Sequence, residues 1–82
     1  MIRILFFAGL REQLDCDGLE IPAAGLRDVA RVRAALGRRG ERWQVALQRP
    51  DLQVAVNQAL AADASPVQPG DEVAFFPPVT GG

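Results

Sequence analysis

Two segments near opposite ends of the chain are apolar at almost every position. Residues 2–8 (IRILFFA) and Glu72–Phe76 (EVAFF) are rich in branched and aromatic side chains, which is typical of strands that are covered on both faces. Neighbouring strand residues point to opposite sides, so each segment divides into an inner and an outer set. The predicted inner set is Ile2, Ile4, Phe6, Val73 and Phe75. We predict that these two strands are central in a sheet and lie side by side.

The middle of the chain changes to a helical period. Residues 26–39 carry apolar side chains at offsets of three, four and seven, and Asp28 is a plausible N-cap. The apolar stripe consists of Val29, Val32, Ala35 and Leu36. Residues 41–48 predict a second, shorter helix in which Trp43 and Leu47 lie one turn apart.

The remaining segments predict shorter elements. Residues 18–22 predict a weak strand that forms an antiparallel hairpin with the first strand. The connection at residues 9–17 is predicted to be a turn with room for a short helical piece at residues 10–14. Residues 52–57 alternate between apolar and polar and predict another strand, whereas residues 59–62 leave strand and loop both open.

The order of these elements predicts the fold class. Residues 65–71 (SPVQPGD) contain two prolines and a glycine, which predicts a turn before the last strand. Strand, strand, helix and strands in that order predict an α+β roll, in which one main helix packs across a mixed sheet. Because the helix supplies a crossover, the first and last strands are predicted to be parallel. The chain suits one domain, residues 1–82, with an extended tail at residues 77–82.

Composition narrows the functional classes. The formal net charge is -1, which gives no basic field for nucleic acid. All nine basic residues are arginines and histidine is absent, so the commonest general base and the usual Schiff-base amine are missing. The apolar run at the N-terminus is too short to span a membrane, and Cys16 is a single cysteine, here interpreted as an inert thiol. We predict a cytoplasmic protein without a metal site and without nucleic-acid or membrane partners.

The last eight residues, FFPPVTGG, predict an extended and thin terminus. Pro77 and Pro78 have a fixed φ and favour a polyproline form, in which the six residues that follow Phe76 would reach about 19 Å. Gly81 and Gly82 have no side chains, so the tip is predicted to enter a channel too narrow for a Cβ atom.

The chain resembles the small subunits of molybdopterin synthase, a family of ubiquitin-like sulfur carriers. The resemblance covers essentially the full length and rests on IRILFFAGLRE, ERW, AVNQ and the terminal PGDEVAFFPPVTGG. A bare Gly-Gly terminus is a weak signal, but the terminal block as a whole is specific. The arginine-rich helix and Cys16 depart from the family pattern, and neither lies in the tail. The resemblance implies a β-grasp fold with a flexible C-terminal Gly-Gly tail.

The resemblance also implies chemistry at the carboxylate of Gly82. This group is ionised at neutral pH and is a poor electrophile. An adenylyltransferase similar to ubiquitin-activating enzymes would use ATP to form an acyl-adenylate, which a sulfur donor protein would convert to a thiocarboxylate. The large subunit of the synthase would take up the tail and pass the sulfur to a cyclic pyranopterin precursor, building the molybdopterin dithiolene. The inserted residues would be Pro77, Pro78, Val79, Thr80 and Gly81.

The chain itself would then be a non-catalytic subunit. It would bind no cofactor directly, since ATP belongs to the activating partner, and it would act as one member of a hetero-oligomer.

Four residues outside the tail are candidates for partner binding. By alternation, Phe7 and Phe76 fall on the face opposite the helix, with Leu60 near them, and an apolar patch on a small domain often marks a partner site. Burial of these aromatic residues under loops is the alternative. Arg11 can pair with acidic groups of a partner, although a solvated loop charge is an equally good interpretation. The other arginines are expected to coat the solvent-facing side of the helical region; they include Arg27, Arg31, Arg33, Arg38, Arg39 and Arg42.

Three other functions stay open on the residues. The chain can be a sulfur carrier for another pathway, such as thiamine or amino-acid synthesis. It can be a ubiquitin-like modifier, in which case the absence of lysine forbids chains of itself but not conjugation to targets. It can also be an interaction module whose tail is idle.

Overall fold

The computed structural model describes residues 1–78, which form five strands and three helices. Residues 79–82 lie outside the described part of the chain. The elements in chain order are β1 (Ile2–Phe6), α1 (Ala8–Leu14), β2 (Gly18–Ile21), α2 (Val29–Gly37), α3 (Glu41–Leu47), β3 (Gln53–Val56), β4 (Ala59–Leu60) and β5 (Glu72–Phe76).

The strands form one mixed sheet in the order β2-β1-β5-β3-β4. β1 and β5 are parallel, with Phe6 opposite Phe75, and every other neighbouring pair is antiparallel. The predicted parallel pairing of the first and last strands is therefore confirmed. A parallel pair needs a long crossover, which the intervening helices and strands supply.

The first strand is shorter than predicted because the backbone turns at Ala8. Phe7 is still extended, but Ala8 has a φ of 54°, which a strand cannot accommodate, and α1 begins there. The predicted helical piece at residues 10–14 is therefore a helix of seven residues. The hairpin that it closes brings β2 close to β1 at Gly18, where a Cβ atom would lie 2.9 Å from the carbonyl oxygen of Ile4.

α2 begins at its predicted cap, not before it. The carboxylate of Asp28 accepts a hydrogen bond of 2.9 Å from the backbone N–H of Arg31, which satisfies one of the free donors of the first turn. The helix therefore starts at Val29 instead of residue 26. The stripe of Val29, Val32 and Leu36 is fully buried against the sheet, as the period predicts.

The core lies between the helices and the inner face of the sheet. Phe6 is at its centre, with its ring edge-on to Trp43 at 5.5 Å between ring centroids and stacked near Phe75 at 6.3 Å. Aromatic pairs in these arrangements stabilise beyond the area that they bury. The predicted inner residues Ile2, Ile4, Phe6, Val73 and Phe75 are all buried in this core.

Arg33 does not lie on a solvent-facing surface, contrary to the prediction. Its guanidinium donates to the carbonyl oxygen of Leu47 at 2.6 Å and pairs with the carboxylate of Asp63 at 2.9 Å. It also lies 5.5 Å from the centre of the Phe75 ring. Arg33 therefore joins α2 to the end of α3 and to the loop after β4. The second, shorter helix predicted at residues 41–48 is present as α3.

Two adjacent phenylalanines provide a matched test of this arrangement. Phe6 is 1% exposed and Phe7 is 46% exposed. We expect Phe6→Ala to lower the free energy of unfolding by about 3–5 kcal/mol, because it removes the centre of the core. Phe7→Ala should lower it by about 1 kcal/mol or less. Urea unfolding of both variants measures the difference, and equal losses would contradict the assignment of inner and outer faces.

Candidate functional site

The tail leaves the body from the central strand. β5 is hydrogen-bonded to β1 on one side and to β3 on the other, and it runs directly into Pro77 and Pro78. The remaining predicted tail residues, Val79, Thr80, Gly81 and Gly82, the last predicted to carry the reactive carboxylate, lie outside the described residues. The tail therefore begins at the end of a strand that is bonded to a neighbour on each side.

An apolar row crosses the outer face of the sheet, on the side away from the helices. The strand register places Leu5 beside Ala74, Ala74 beside Ala55, and Ala55 beside Leu60. The two alanines are buried and have short side chains, so the surface is depressed in the middle of the row. Leu60 closes the row at the sheet edge, where it is 78% exposed.

Phe7 and Phe76 lie next to each other at the tail end of the same face. The backbone N–H of Phe7 donates to the carbonyl oxygen of Phe75 at 3.2 Å, which keeps Phe7 alongside β5 after β1 has ended. Phe76 is half-buried, and its partner on the other side is Gln53. We call the surface formed by Phe7, Phe76, Leu5, Ala55, Ala74 and Leu60 the outer apolar face. The structure thus brings the three predicted apolar residues to one face, with Leu60 separated from the phenylalanines by the alanines.

Charged residues border this face. Arg3 lies between Glu20 and Glu72 in the adjacent row of the sheet, and Arg11 is exposed on α1, one turn after Phe7. An apolar surface with a polar border is typical of a protein docking site.

A tight turn between β3 and β4 positions Leu60. Asn57 and Gln58 have φ values of 50° and 69°, as in the hairpin turns that match the twist of a sheet. The side chain of Asn57 accepts from the N–H of Glu72 at 3.0 Å and donates to the carboxylate of Asp71 at 3.1 Å. The sequence interpretation missed this role of Asn57. The asparagine at the first turn position was a signal for a hairpin turn. The usual second signal, a glycine at the next position, is missing because that residue is Gln58.

Within residues 1–78, no cluster of three or more His, Cys, Asp or Glu side chains could hold a metal ion. Cys16 is half-buried, and its thiol lies 3.5 Å from the carbonyl oxygen of Gly18. No helix among these residues is long and apolar enough to cross a membrane.

The family follows from comparison with known sequences. Residues 4–82 match the ThiS family, and the chain belongs to that family. It is 46% identical over 82 residues to the molybdopterin synthase sulfur carrier subunit of Escherichia coli K12, with all of both chains covered. It is 43% identical, again over the whole of both chains, to the protein of the same name in Haemophilus influenzae. The resemblance inferred from the sequence is confirmed at this level.

Solved structures confirm the fold. The chain is similar to the small archaeal modifier protein 1 of Haloferax volcanii, with a TM-score of 0.75, 25% identity, and 95% of this chain and 97% of that chain covered. It is also similar to a chain in the complex of subunits 1 and 2 of the molybdopterin-converting factor of Helicobacter pylori, with a TM-score of 0.69, 26% identity, and 99% and 97% covered. The ubiquitin-like β-grasp roll is therefore the fold of this chain, and α2, the predicted main helix, is the longest of the three helices in the described residues.

The carboxylate of Asp71, which accepts a hydrogen bond from Asn57, makes a contribution to stability that depends on pH. Hydrogen bonds from the Asn57 side chain, and then from the Gln68 N–H, hold the pKa of Asp71 below its usual value. A lowered folded-state pKa stabilises the fold above the unfolded-state pKa of about 3.9, and this contribution is lost as the pH falls through the folded-state pKa.

Asp71→Asn should therefore be less stable than the natural chain from about pH 5 to 7, and the difference should shrink below about pH 4. Thermal unfolding across this range measures it. A difference that stays constant down to about pH 2.5 would show that the charge of Asp71 is not involved.

Proposed function

We propose that this chain is the sulfur carrier subunit of a molybdopterin synthase. The observation that carries the proposal is identity of 43–46% over the entire length of two relatives that bear this name. The terminal FFPPVTGG block supports it, because the tail follows directly from the central strand of a β-grasp body. The single cysteine agrees with a reducing cytoplasm as the place of action.

The working group of such a carrier is the carboxylate of Gly82. In the proposed reaction this carboxylate attacks the α-phosphate of ATP on an adenylyltransferase, and pyrophosphate leaves. Hydrosulfide (HS⁻) supplied through a donor protein then attacks the carbonyl carbon, AMP leaves with the electron pair of the broken C–O bond, and the proton of the hydrosulfide goes to solvent. The product is a thiocarboxylate, whose sulfur the large subunit transfers to a cyclic pyranopterin precursor in forming the dithiolene. The chain binds no cofactor of its own in this scheme.

The outer apolar face is the proposed docking surface for both enzymes. Phe7, Phe76 and Leu60 present apolar area that the chain itself leaves partly uncovered, and Arg11 lies beside it for an acidic group of a partner. A heteromeric complex is supported by the Helicobacter pylori structure, which holds subunits 1 and 2 of the molybdopterin-converting factor. Because the face and the tail share β5, a partner bound to the face receives the tail from a fixed direction.

A protein modifier is the second candidate function. The Haloferax volcanii structure is named a modifier, and its likeness to this chain favours this alternative specifically. A modifier would use the same activated Gly82 but would join it to an amine of another protein. A sulfur carrier for thiamine or amino-acid synthesis would end at the same thiocarboxylate and differ only in the acceptor.

Intact mass distinguishes the carrier from the modifier. The chain, ATP, the adenylyltransferase and a sulfur donor are incubated together, with a variant lacking Gly82 as the control. We expect the natural chain to gain the mass difference between sulfur and oxygen, and the variant to gain nothing. Adducts of the chain on other proteins would favour the modifier. When the large subunit and the pterin precursor are then added, the natural chain should return to its original mass. A natural chain whose mass does not change on incubation would contradict the proposal.

A charge placed on the outer apolar face should disrupt docking. Phe76→Asp should weaken binding to the large subunit about tenfold or more, because the interface would bury an unpaired carboxylate. Val45→Asp is the matched control, since Val45 is 58% exposed on α3, away from this face. Calorimetry gives both affinities. Equal effects of the two variants would remove the outer apolar face from the proposal.

A further inference from the structure

Leu60 is held by very little of the fold. β4 consists of two residues, pairs only with β3 and lies at the edge of the sheet. Its two register pairs join Leu60 to Ala55 and Ala59 to Val56, and one further backbone bond of 3.0 Å links the N–H of Ala61 to Val54. A hairpin this short is marginal by itself, so the direction of Leu60 depends on contacts at its turn.

Asn57 supplies those contacts from the turn. Its backbone N–H donates to the carbonyl oxygen of Glu72 at 2.8 Å, and its side-chain oxygen accepts from the N–H of Glu72 at 3.0 Å. Its side-chain amide donates to the carboxylate of Asp71 at 3.1 Å. We call these three bonds the Asn57 clasp. They join the β3–β4 turn to the first residue of β5, fifteen positions later in the chain.

The far side of the clasp is itself fixed. The second carboxylate oxygen of Asp71 accepts from the N–H of Gln68 at 2.8 Å, and the Asp71 carbonyl accepts from the N–H of Arg3 at 3.0 Å. Asp71 is thereby tied to β1 as well as to β5. These are the two strands that lead to Phe7 and Phe76 at the opposite end of the outer apolar face.

Few side chains could make the clasp. The φ of 50° at position 57 is tolerated by asparagine and glycine, but glycine has no side chain to donate or accept. Aspartate could accept from Glu72 but would bring a second carboxylate to Asp71 instead of a donor. Asparagine therefore suits both the backbone conformation at position 57 and its two hydrogen-bond partners, Asp71 and Glu72.

We propose that Asn57 is a positioning residue for docking, which holds Leu60 in a fixed relation to Phe7 and Phe76 through its bonds to Asp71 and Glu72. This rests on the proposed function, in which the outer apolar face binds the large subunit. The side chain of Asn57 is bonded to Asp71 and Glu72, so the proposed effect on binding passes through the position of Leu60.

The first test needs no partner. Asn57→Gly keeps the backbone conformation accessible and removes both side-chain bonds, whereas Gln58→Gly is the matched control at the other turn position. In the free chain, we expect Asn57→Gly to speed hydrogen exchange of the Ala61 N–H about fivefold or more, and of the Glu72 N–H that loses its acceptor, while the amides of β1 and of residues 73–76 keep their rates. Gln58→Gly should leave the Ala61 rate unchanged or lower. An unchanged rate in Asn57→Gly would overturn the clasp.

The second test is a double-mutant cycle on binding to the large subunit. Asn57→Gly should weaken binding about fivefold, equivalent to about 1 kcal/mol, when Leu60 is present, and by less than about twofold in a Leu60→Ala background. In a Phe7→Ala background, Asn57→Gly should weaken binding by the same factor as in the natural chain, because Phe7 is not part of the β3–β4 hairpin. Equal factors in the natural and the Leu60→Ala backgrounds would overturn the positioning role.

The two tests separate the inference from the function on which it rests. If the natural chain fails to bind the large subunit and gains no sulfur, the proposed function falls and the docking role falls with it. If the natural chain binds and gains sulfur but the cycle is additive, only the role of Asn57 is wrong.

Discussion

The parallel pairing of β1 with β5 is the contact on which the rest of the structure depends. It joins the two ends of the chain side by side, with Phe6 opposite Phe75, and places both strands inside the sheet. The pairing brings the inner side chains together as one core that the helices cover. It also fixes where the chain leaves the body, since the strand that completes the sheet is the strand that continues into Pro77 and Pro78.

The two faces of this sheet carry different kinds of apolar side chain. The inner face carries the large buried side chains, while the outer face carries two alanines between Leu5, Leu60 and the two outer phenylalanines. Phe6 and Phe7 are neighbours in sequence and lie on opposite faces, so one residue of alternation separates a core position from an exposed position. An exposed apolar surface lowers solubility without contributing to the core, and this cost is understandable if a partner covers the surface in the working complex.

The sequence predicted the elements whose signal is local and periodic. The apolar runs of β1 and β5, the stripe of α2 and its cap at Asp28 all needed only neighbouring residues to be recognised. The features that were missed depend on distant partners. The position of Arg33 on a helical wheel does not predict its pairing with Asp63, which is thirty positions away. The two residues of β4 are too few to show a period. The face shared by Phe7 and Phe76 followed from alternation, but the link between Asn57 and Asp71 could not, because these residues are fourteen positions apart. The reactive role of Gly82 came from family resemblance alone.

In the proposed function, the position of the tail on β5 lets one body present the same terminus to two enzymes. Each enzyme would supply its own acid, base and nucleotide or pterin site, and the carrier would present the same atom in the same direction. β5 is bonded to a strand on both sides, and the two prolines restrict the backbone just beyond its last hydrogen bond. Because the proposed docking face and the start of the tail share β5, two partners that bound this face would exclude each other. On this proposal, activation and delivery would be separate encounters of one carrier, and the state of its terminal carboxylate would set their order.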